Sequence, residues 1–212
     1  MISIKTFVFN SFQVNAYVLY DETGEAALVD AACSNRREEE ALTGFLDLNR
    51  LKPVIHLNTH CHVDHVLGND FVQRKYGLLP VCHQAGSPFI DRAKNIAATF
   101  GYHVAHVPHP ATFLSGNDDI GWGSSALKTL YTPGHADGSV CFYSEAAKFV
   151  ITGDVLFRDS IGRTDLPSGD FDLLMESIRE KLFTLPDSTV VYPGHGPETT
   201  IGYEKRNNPF IR

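Results

Sequence analysis

The chain has 212 residues, of which 43% are hydrophobic and 20% charged, and it carries a net charge of −7 with a pI near 5.8. This length fills one hydrophobic core and is short for two, so we expect a single domain over residues 1–212. The acidic balance disfavours a nucleic-acid partner, because phosphate contacts need clustered lysine and arginine. We expect a small-molecule substrate and a monomer or small homo-oligomer.

The start of the chain and its cysteines indicate a cellular compartment. Residues 1–10 lack the basic start and apolar stretch of a secretory signal, and no run of about 18 apolar residues occurs. We therefore expect a cytoplasmic protein without a membrane partner. Cys33, Cys61, Cys82 and Cys141 lie far apart and form no C-x-x-C pair, which predicts reduced and mostly buried thiols.

Short strands and one amphipathic helix are predicted for the first fifty residues. Alternating or apolar stretches at residues 2–9, 16–20 and 26–29 predict three strands, the last two joined by a hairpin turn. From Asn35 onward, acidic residues in a first turn and apolar residues at helical spacing predict a surface helix that ends before Pro53.

Further helices alternate with strands along the rest of the chain. We expect one helix over residues 71–77 and another in which Ser87 is the cap and Pro88 lies in the first turn. A last clear helix follows Asp170, whereas residues 103–125 are predicted as loop with short strands. Interleaved helices and strands predict an α/β class.

Four predicted strands end in residues that commonly bind metals. The apolar runs 54–57, 127–131, 149–151 and 189–192 are each followed by histidine or aspartate, and three of the turns contain glycine. Ligand sites gather at the carboxyl ends of strands in open α/β sheets, and glycine lets the backbone come close to a site. The candidates are His60, His62, Asp64, His65, His135, Asp154 and His195.

Seven ligands exceed one metal site. Zinc in proteins usually has about four ligands, so we expect two divalent ions that share a carboxylate and keep open coordination for chemistry. Zinc is favoured, and iron and manganese also suit histidine and carboxylate donors. His60 and His62 point the same way only in an extended segment, so residues 59–65 are predicted as a loop or strand end rather than a helix.

The order T-H-x-H-x-D-H, then G-H, G-D and G-H, resembles the metal motif of the metallo-β-lactamase-fold hydrolases. This resemblance spans nearly the whole chain up to His195 and implies an αββα sandwich of two mixed β-sheets with helices on the outer faces. It implies that the first metal is held by His60, His62 and His135, the second by Asp64, His65 and His195, with Asp154 as the bridge. It also implies that Asp30 supports the metal loop.

Later segments resemble the compact bacterial type II glyoxalases, which lack the C-terminal helical domain of longer members. The segments are 153–157, 161–167, 192–197, 199–202 and 208–210. The resemblance implies a hydroxyacylglutathione hydrolase, which cleaves the thioester S-D-lactoylglutathione to D-lactate and glutathione. Two divalent ions lower the pKa of a shared water, and Asp64 is the candidate catalytic residue that positions this water and handles its proton.

Other functions fit part of the pattern. A persulfide dioxygenase shares the fold and the stretch 162–165 but uses one iron, held by two histidines and an aspartate. A metal-dependent lactonase fits the same scaffold, and a closed metal-binding protein would hold ions without turnover. The stretch 196–210 favours the hydrolase.

Some residues near the motifs have two interpretations. Arg163 either binds a substrate carboxylate or pairs with Asp165, and we favour the pair. Phe157 either lines the pocket or belongs to the core, and we favour the core.

Two other histidines are not expected to bind metal. His56 lies in a predicted strand and is expected to be buried and hydrogen bonded, and His83 is expected to remain away from the site.

Overall fold

Two six-stranded β-sheets pack face to face in the computed structural model, which describes residues 1–211. The first sheet contains, in spatial order, β1 (Ser3–Phe9), β2 (Val14–Tyr20), β3 (Glu25–Val29), β4 (Lys52–Leu57), β5 (Pro80–His83) and β6 (Thr112–Leu114). The second contains β14 (Thr199–Thr200), β13 (Val190–Pro193), β10 (Phe149–Gly153), β9 (Val140–Ser144), β8 (Ser125–Tyr131) and β7 (Asp119–Trp122). A separate hairpin contains β11 (Leu156–Phe157) and β12 (Ser160–Ile161).

Helices cover the outer faces of the sheets. Those in residues 1–211 are α1 (Arg36–Leu48), α2 (Val63–Val66), α3 (Asn69–Tyr76), α4 (Ser87–Thr99), α5 (Phe171–Ser177) and α6 (Ile201–Asn207). A π-helical stretch, Ile178–Leu182, continues α5. Asn35 caps α1 and Asp170 caps α5, because each side chain accepts a hydrogen bond from a first-turn backbone N–H.

Alternating side chains of each sheet enter two different cores. In β3, Ala27 and Val29 face the second sheet, where they join a buried cluster with Phe142 and Ile151. The opposite face of β3, at Leu28, packs against α1 and α3. The outer face of the second sheet packs against α5, the π-helical stretch and α6. The expected αββα sandwich is therefore confirmed.

Three strands of the second sheet end at the same edge. β10 runs parallel to β13, and β9 is antiparallel to both β10 and β8, so β8, β10 and β13 point in one direction. The loop after β4 joins them, since the backbone N–H of Val140 donates to the carbonyl oxygen of Thr59 at 2.8 Å. Four chain segments that carry candidate ligands therefore meet at one edge of the sandwich.

Most predicted elements are present within a few residues of their expected bounds, but some details differ. The N-cap of α4 is Gly86, and Ser87 is already the first helical residue, so the predicted cap is wrong. His62 is the N-cap of α2, so the second half of residues 59–65 is helical rather than loop. The sequence did not predict α6, because seven residues are too few to show a helical period.

Outside the metal motif, His56 differs from expectation. It is buried in β4, yet neither ring nitrogen has a hydrogen-bond partner among residues 1–211, so the expected hydrogen bond is wrong. Burial lowers the pKa of His56 to about 4, and the ring is neutral near pH 7. His83 stacks on Tyr131 with ring centroids 4.4 Å apart.

Two further expectations concern the chain as a whole. The four cysteines are free and buried, as predicted. Across residues 1–211, no helix has the length and apolar character needed to cross a membrane.

Candidate metal centre

Seven histidine and aspartate side chains meet at the edge where β4, β8, β10 and β13 end. Their ligand atoms form three overlapping groups, and within each group all atoms lie within 4.8 Å of one another. The groups are His60 with His62 and His135, His60 with His65 and Asp154, and Asp64 with His65 and His195. The structure thus brings together all seven residues singled out in the sequence.

The first group is built from three imidazole rings. Nε2 of His135 lies 2.9 Å from Nδ1 of His62. The ring centroid of His60 lies 4.8 Å from that of His62 and 5.0 Å from that of His135. Facing imidazole nitrogens can share a proton or jointly bind a cation, so this group offers three nitrogen donors to one ion.

Asp154 lies between the first group and the second. Its Oδ2 is 3.7 Å from Nε2 of His135 and 3.5 Å from Nε2 of His195. Its Oδ1 is 3.3 Å from Nε2 of His65. In the second group, Oδ2 of Asp64 is 3.4 Å from Nε2 of His195. The Asp154 carboxylate therefore faces donors from both groups, as a bridging ligand would.

Hydrogen bonds behind the rings orient two of these histidines. Nδ1 of His65 donates to Oδ2 of Asp30 at 2.9 Å, and Nδ1 of His60 lies 3.1 Å from Oγ1 of Thr59. Asp30 also accepts from the backbone N–H and the hydroxyl of Thr59, at 2.8 and 2.6 Å. Because the partner of Nδ1 fixes the ring, Nε2 of each histidine is the nitrogen that faces the centre, and it offers a lone pair to a metal once it has lost its proton.

Backbone carbonyl groups orient two more rings. Nδ1 of His135 donates to the carbonyl oxygen of Arg163 at 2.8 Å, and Nδ1 of His195 donates to that of Phe12 at 2.9 Å. The side-chain amide of Asn15 donates to two carbonyl oxygens of the His195 turn, at 3.0 and 2.8 Å. The sequence did not reveal Phe12, because a carbonyl acceptor leaves no side-chain signature.

Glycine is required where the backbone crosses behind the ligands. A Cβ atom on Gly194 would lie 2.2 Å from Oδ1 of Asp154 and 2.9 Å from Cε1 of His65. A Cβ atom on Gly162 would lie 1.9 Å from the carbonyl oxygen of Asp154. These turns therefore need a residue without a side chain, as the sequence suggested for the Gly-His turn.

Burial and neighbouring charges shift the pKa values of the histidines in opposite directions in the two ligand groups. Burial, followed by the neighbouring histidines, lowers the pKa of His60 well below its usual value, and burial lowers the pKa of His62 to about 4. Burial acts to lower the pKa of His65, but nearby carboxylates, first Asp154, raise it well above its usual value. Burial acts to raise the pKa of Asp154, whereas the charge of His65 holds it well below its usual range.

Three atoms that could bind a metal are buried at the centre without a hydrogen-bond partner among the described residues. They are Nε2 of His60, Nε2 of His65 and Oδ1 of Asp154. An unpaired buried polar atom costs about 1–3 kcal/mol, so a cluster of them is expected to bind a ligand. Mixed imidazole and carboxylate donors suit zinc, iron or manganese, and the residues present therefore fit divalent ions.

Comparison with known sequences decides the family. Residues 10–195 match the profile described as the Metallo-beta-lactamase superfamily. The chain belongs to this superfamily. Its members bind divalent metals, in agreement with the histidine and aspartate groups of this structure.

Two superfamily relatives align over almost the whole chain. One is the "Probable metallo-hydrolase YqgX" of Bacillus subtilis, 36% identical over 200 residues, which are 94% of this chain and 92% of that protein. The other is the "Hydroxyacylglutathione hydrolase GloC" of Haemophilus influenzae, 34% identical over 203 residues, which are 95% of this chain and 94% of that protein. The chain is thus similar to metallo-hydrolases over its full fold.

Two crystal structures are similar to this fold. The BLEG-1 B3 metallo-beta-lactamase has a TM-score of 0.90 and 36% identity, with 99% of both chains covered. TTHA1623, solved in a di-iron-bound form, has a TM-score of 0.86 and 33% identity, with 97% of this chain and 99% of that chain covered. One of these neighbours therefore holds two iron ions on the shared fold.

Arg163 and Phe157, for which the sequence left two interpretations, lie beside the candidate metal ligands. The guanidinium group of Arg163 donates to both carboxylate oxygens of Asp165, at 2.7 and 2.8 Å, so the favoured ion pair is present. The Phe157 ring lies 6.2 Å from the His195 ring, is only partly buried and belongs to none of the hydrophobic clusters found in residues 1–211. The core position favoured for Phe157 is therefore wrong.

The sequence also missed a second aromatic neighbour of the site. The Phe89 ring in α4 lies 5.1 Å from the His62 ring, in an edge-to-face arrangement. A single phenylalanine near a helix start does not differ from a core residue by its pattern. Aromatic rings therefore stand next to a ligand of each metal group, Phe89 at the first and Phe157 at the second.

Proposed function

We propose that the protein is a dinuclear metal hydrolase that cleaves a thioester, S-D-lactoylglutathione in the first place, to give D-lactate and glutathione. The observation that carries this proposal is the position of Asp154 between two groups of ligands, which together offer donors for two ions. The substrate class is supported by the similarity to GloC, which is named a hydroxyacylglutathione hydrolase.

Asp64 is the proposed proton-handling residue. Divalent ions bound at the centre would lower the pKa of a water and polarise the carbonyl group of the substrate. The Asp64 side chain is 15% exposed, so it lies between the buried ligands and solvent. Its turn is fixed because Nδ2 of Asn10 donates to its carbonyl oxygen at 3.0 Å. A carboxylate held there can accept a hydrogen bond from the attacking water and take its proton.

The reaction balances with these groups alone. Water adds to the thioester carbon and its proton passes to Asp64, and the carbon–sulfur bond then breaks with release of a thiolate. A thiol has a pKa of about 8.5, so the leaving group needs no dedicated acid. The proton then returns from Asp64 to the thiolate or to solvent, which gives a carboxylic acid and a thiol.

The proposal is tested with purified protein on S-D-lactoylglutathione, a second thioester, a lactone and a β-lactam. We expect the fastest cleavage for S-D-lactoylglutathione. His62→Ala and Asp64→Asn should each reduce that rate by about 100-fold or more without unfolding the chain, whereas Asp165→Asn, at an exposed carboxylate, should retain it. Wild-type turnover with full metal content in Asp64→Asn would remove Asp64 from the mechanism.

A second candidate function is β-lactam hydrolysis, because the BLEG-1 structure is named a B3 metallo-beta-lactamase and resembles this chain closely. A β-lactam rate above the thioester rate would favour it. A third outcome is oxygen uptake with glutathione persulfide and one iron per chain, which would indicate a dioxygenase instead. Iron itself does not separate the candidates, since TTHA1623 binds two iron ions.

The proposed setting is the cytoplasm. Four buried and free thiols suit a reducing compartment, in which disulfides rarely persist. We propose a soluble enzyme that acts there on a small-molecule thioester, as a monomer or a small homo-oligomer.

A further inference from the structure

Glu204 in α6 is a buried carboxylate outside the metal centre. Only 1% of the residue is exposed. Its hydrogen-bond partners are neutral donors, namely Thr199, Asn208 and the backbone of Asp159. Burial of a carboxylate is unfavourable unless its oxygens are hydrogen bonded, so the three donors and the carboxylate form one unit.

The unit joins two separate segments of the chain, residues 199–208 and the hairpin of β11 and β12. Oε1 of Glu204 accepts from the hydroxyl of Thr199 at 2.5 Å. Oε2 accepts from the side-chain amide of Asn208 at 2.8 Å and from the backbone N–H of Asp159 at 3.1 Å. Asp159 lies in the turn between β11 and β12, whereas Thr199 and Asn208 flank α6. Glu204 thereby ties the C-terminal segment to the tip of this hairpin.

Other contacts of the C-terminal segment hold the same hairpin. The hydroxyl of Tyr203 donates to Oδ1 of Asp159 at 2.9 Å, and the Arg158 guanidinium lies over the Tyr203 ring at 5.2 Å. The side-chain amide of Asn208 donates to the carbonyl oxygen of Ser160 at 3.0 Å. Each residue from 158 to 160 therefore contacts α6 or the residue after it. Two strands of two residues have little stability of their own, so these contacts help to fix the tip of the hairpin, whose base is anchored by the buried Leu156.

The hairpin carries Phe157 to the metal centre. The Phe157 ring is partly exposed and lies 6.2 Å from the His195 ring, outside the hydrophobic clusters of residues 1–211. We propose that Glu204 is a positioning residue: it fixes the hairpin and so holds Phe157 as the wall against which the apolar part of the substrate binds. The inference rests on the proposed thioester hydrolysis for its kinetic readout.

The metal ligands next to this wall are supported independently. The His195 ring is held by the carbonyl oxygen of Phe12, and its turn is held by Asn15. Loss of Glu204 should therefore displace Phe157 rather than His195. Because Phe157 contacts bound substrate and performs no proton transfer, its displacement should raise KM more than it lowers kcat.

The test compares three variants of α6 in the metal-loaded full chain, with S-D-lactoylglutathione as substrate. Glu204→Ala should raise KM about fivefold with kcat changed less than about twofold. Glu204→Gln should keep KM near the wild-type value. The glutamine NH2 group can donate to the hydroxyl oxygen of Thr199, and the glutamine oxygen can accept from Asn208 and from the backbone of Asp159. Lys205→Ala is the matched control: it removes an ion pair of the same helix to Asp187 without touching the hairpin, and it should leave KM unchanged.

A double-mutant cycle separates positioning from general destabilisation. If Glu204 acts through Phe157, the KM effects of Glu204→Ala and Phe157→Ala should overlap, so the double variant resembles Phe157→Ala alone. Tyr203→Phe, which removes one hydrogen bond to the hairpin, provides a milder variant if Glu204→Ala fails to fold. The inference would be overturned if the KM of the double variant rose by the product of the two single effects. It would also be overturned if Glu204→Ala lost activity in proportion to its loss of metal, as counted by elemental analysis. Failure of the wild type to cleave any thioester would instead overturn the proposed function.

Discussion

Oδ2 of Asp30 accepts a hydrogen bond from Nδ1 of His65 at 2.9 Å, and both side chains are buried. Asp30 follows β3, whereas His65 lies in α2 after β4, so the bond joins two neighbouring strand ends. It leaves Nε2 of His65 pointing at Asp64 and Asp154. The orientation of one candidate metal ligand therefore depends on a residue outside the three ligand groups.

The first prediction concerns this hydrogen bond. In Asp30→Asn, only one oxygen remains to accept from both His65 and Thr59, so the His65 ring should lose its fixed orientation. We expect the affinity for the metal bound through His65 to fall by about 10–100-fold, as is usual when such a partner of a ligand is removed. Isothermal titration with zinc measures the change, with Asp165→Asn as the control for loss of a charge. Two ions bound with wild-type affinity in Asp30→Asn would contradict this role.

Gly194 gives a second prediction. Its substitution by alanine would bring a Cβ atom to 2.2 Å from Oδ1 of Asp154, so the carboxylate or the turn must move. We expect Gly194→Ala to fold but to lose most hydrolysis and to bind fewer than two metals per chain, as measured by activity and elemental analysis. If Gly194→Ala kept both its hydrolysis rate and two metals per chain, the turn would have to shift without disturbing Asp154, and the prediction would be wrong.

A third prediction uses a glycine in open space. Apart from its chain neighbours and the backbone of its own helix, no atom lies within 4 Å of a Cβ placed on Gly44 in α1. Gly44→Ala should stabilise the protein by roughly 0.5–1 kcal/mol, because alanine loses less backbone entropy in a helix. Urea unfolding of the metal-loaded protein measures this change, and hydrolysis should remain at the wild-type rate. A decrease in stability would contradict the assigned solvent-facing position.

The fourth prediction concerns pH and His56. Burial lowers the pKa of His56 in the folded protein from 6.5 to about 4, so between these values the unfolded chain binds a proton that the folded chain does not. The contribution of His56 to the free energy of unfolding is therefore fully present above about pH 6.5. It is lost as the pH falls towards 4, by about 3 kcal/mol in all.

His56→Leu should remove that dependence. Leucine fills a similar volume and leaves no unpaired ring nitrogen, so stability at pH 7.5 should be equal or higher. Urea unfolding of both proteins between pH 5 and 7.5 isolates the contribution of His56, since the metal ligands are common to both. Parallel pH profiles would show that His56 titrates alike in the folded and unfolded chains.

The clustering of the candidate metal ligands was predictable because their signals are local. His135, Asp154 and His195 each follow an apolar strand and a tight turn, and strands of one direction end at one edge of a sheet. The same reasoning could not fix the local structure of Asp64, because a single helical turn such as α2 is too short to show a period.

Contacts between distant segments were not predictable in the same way. The carbonyl oxygen of Phe12 accepts from His195 across 183 residues of sequence, and any residue type could supply it. Phe157 is of a residue type common in hydrophobic cores, and only the path of the β11–β12 hairpin brings it to the site. His56 lies in a strand whose burial was predicted, but the absence of a partner for its ring within residues 1–211 depends on every neighbouring side chain.

The central claim is that two ions, divided by Asp154, perform thioester hydrolysis. The most direct test is to strip the protein with a chelator and titrate it with zinc while the rate on S-D-lactoylglutathione is measured. We predict that the rate rises until two equivalents per chain are bound and then remains constant. A maximal rate at one equivalent, or two bound equivalents without thioester cleavage, would contradict the account.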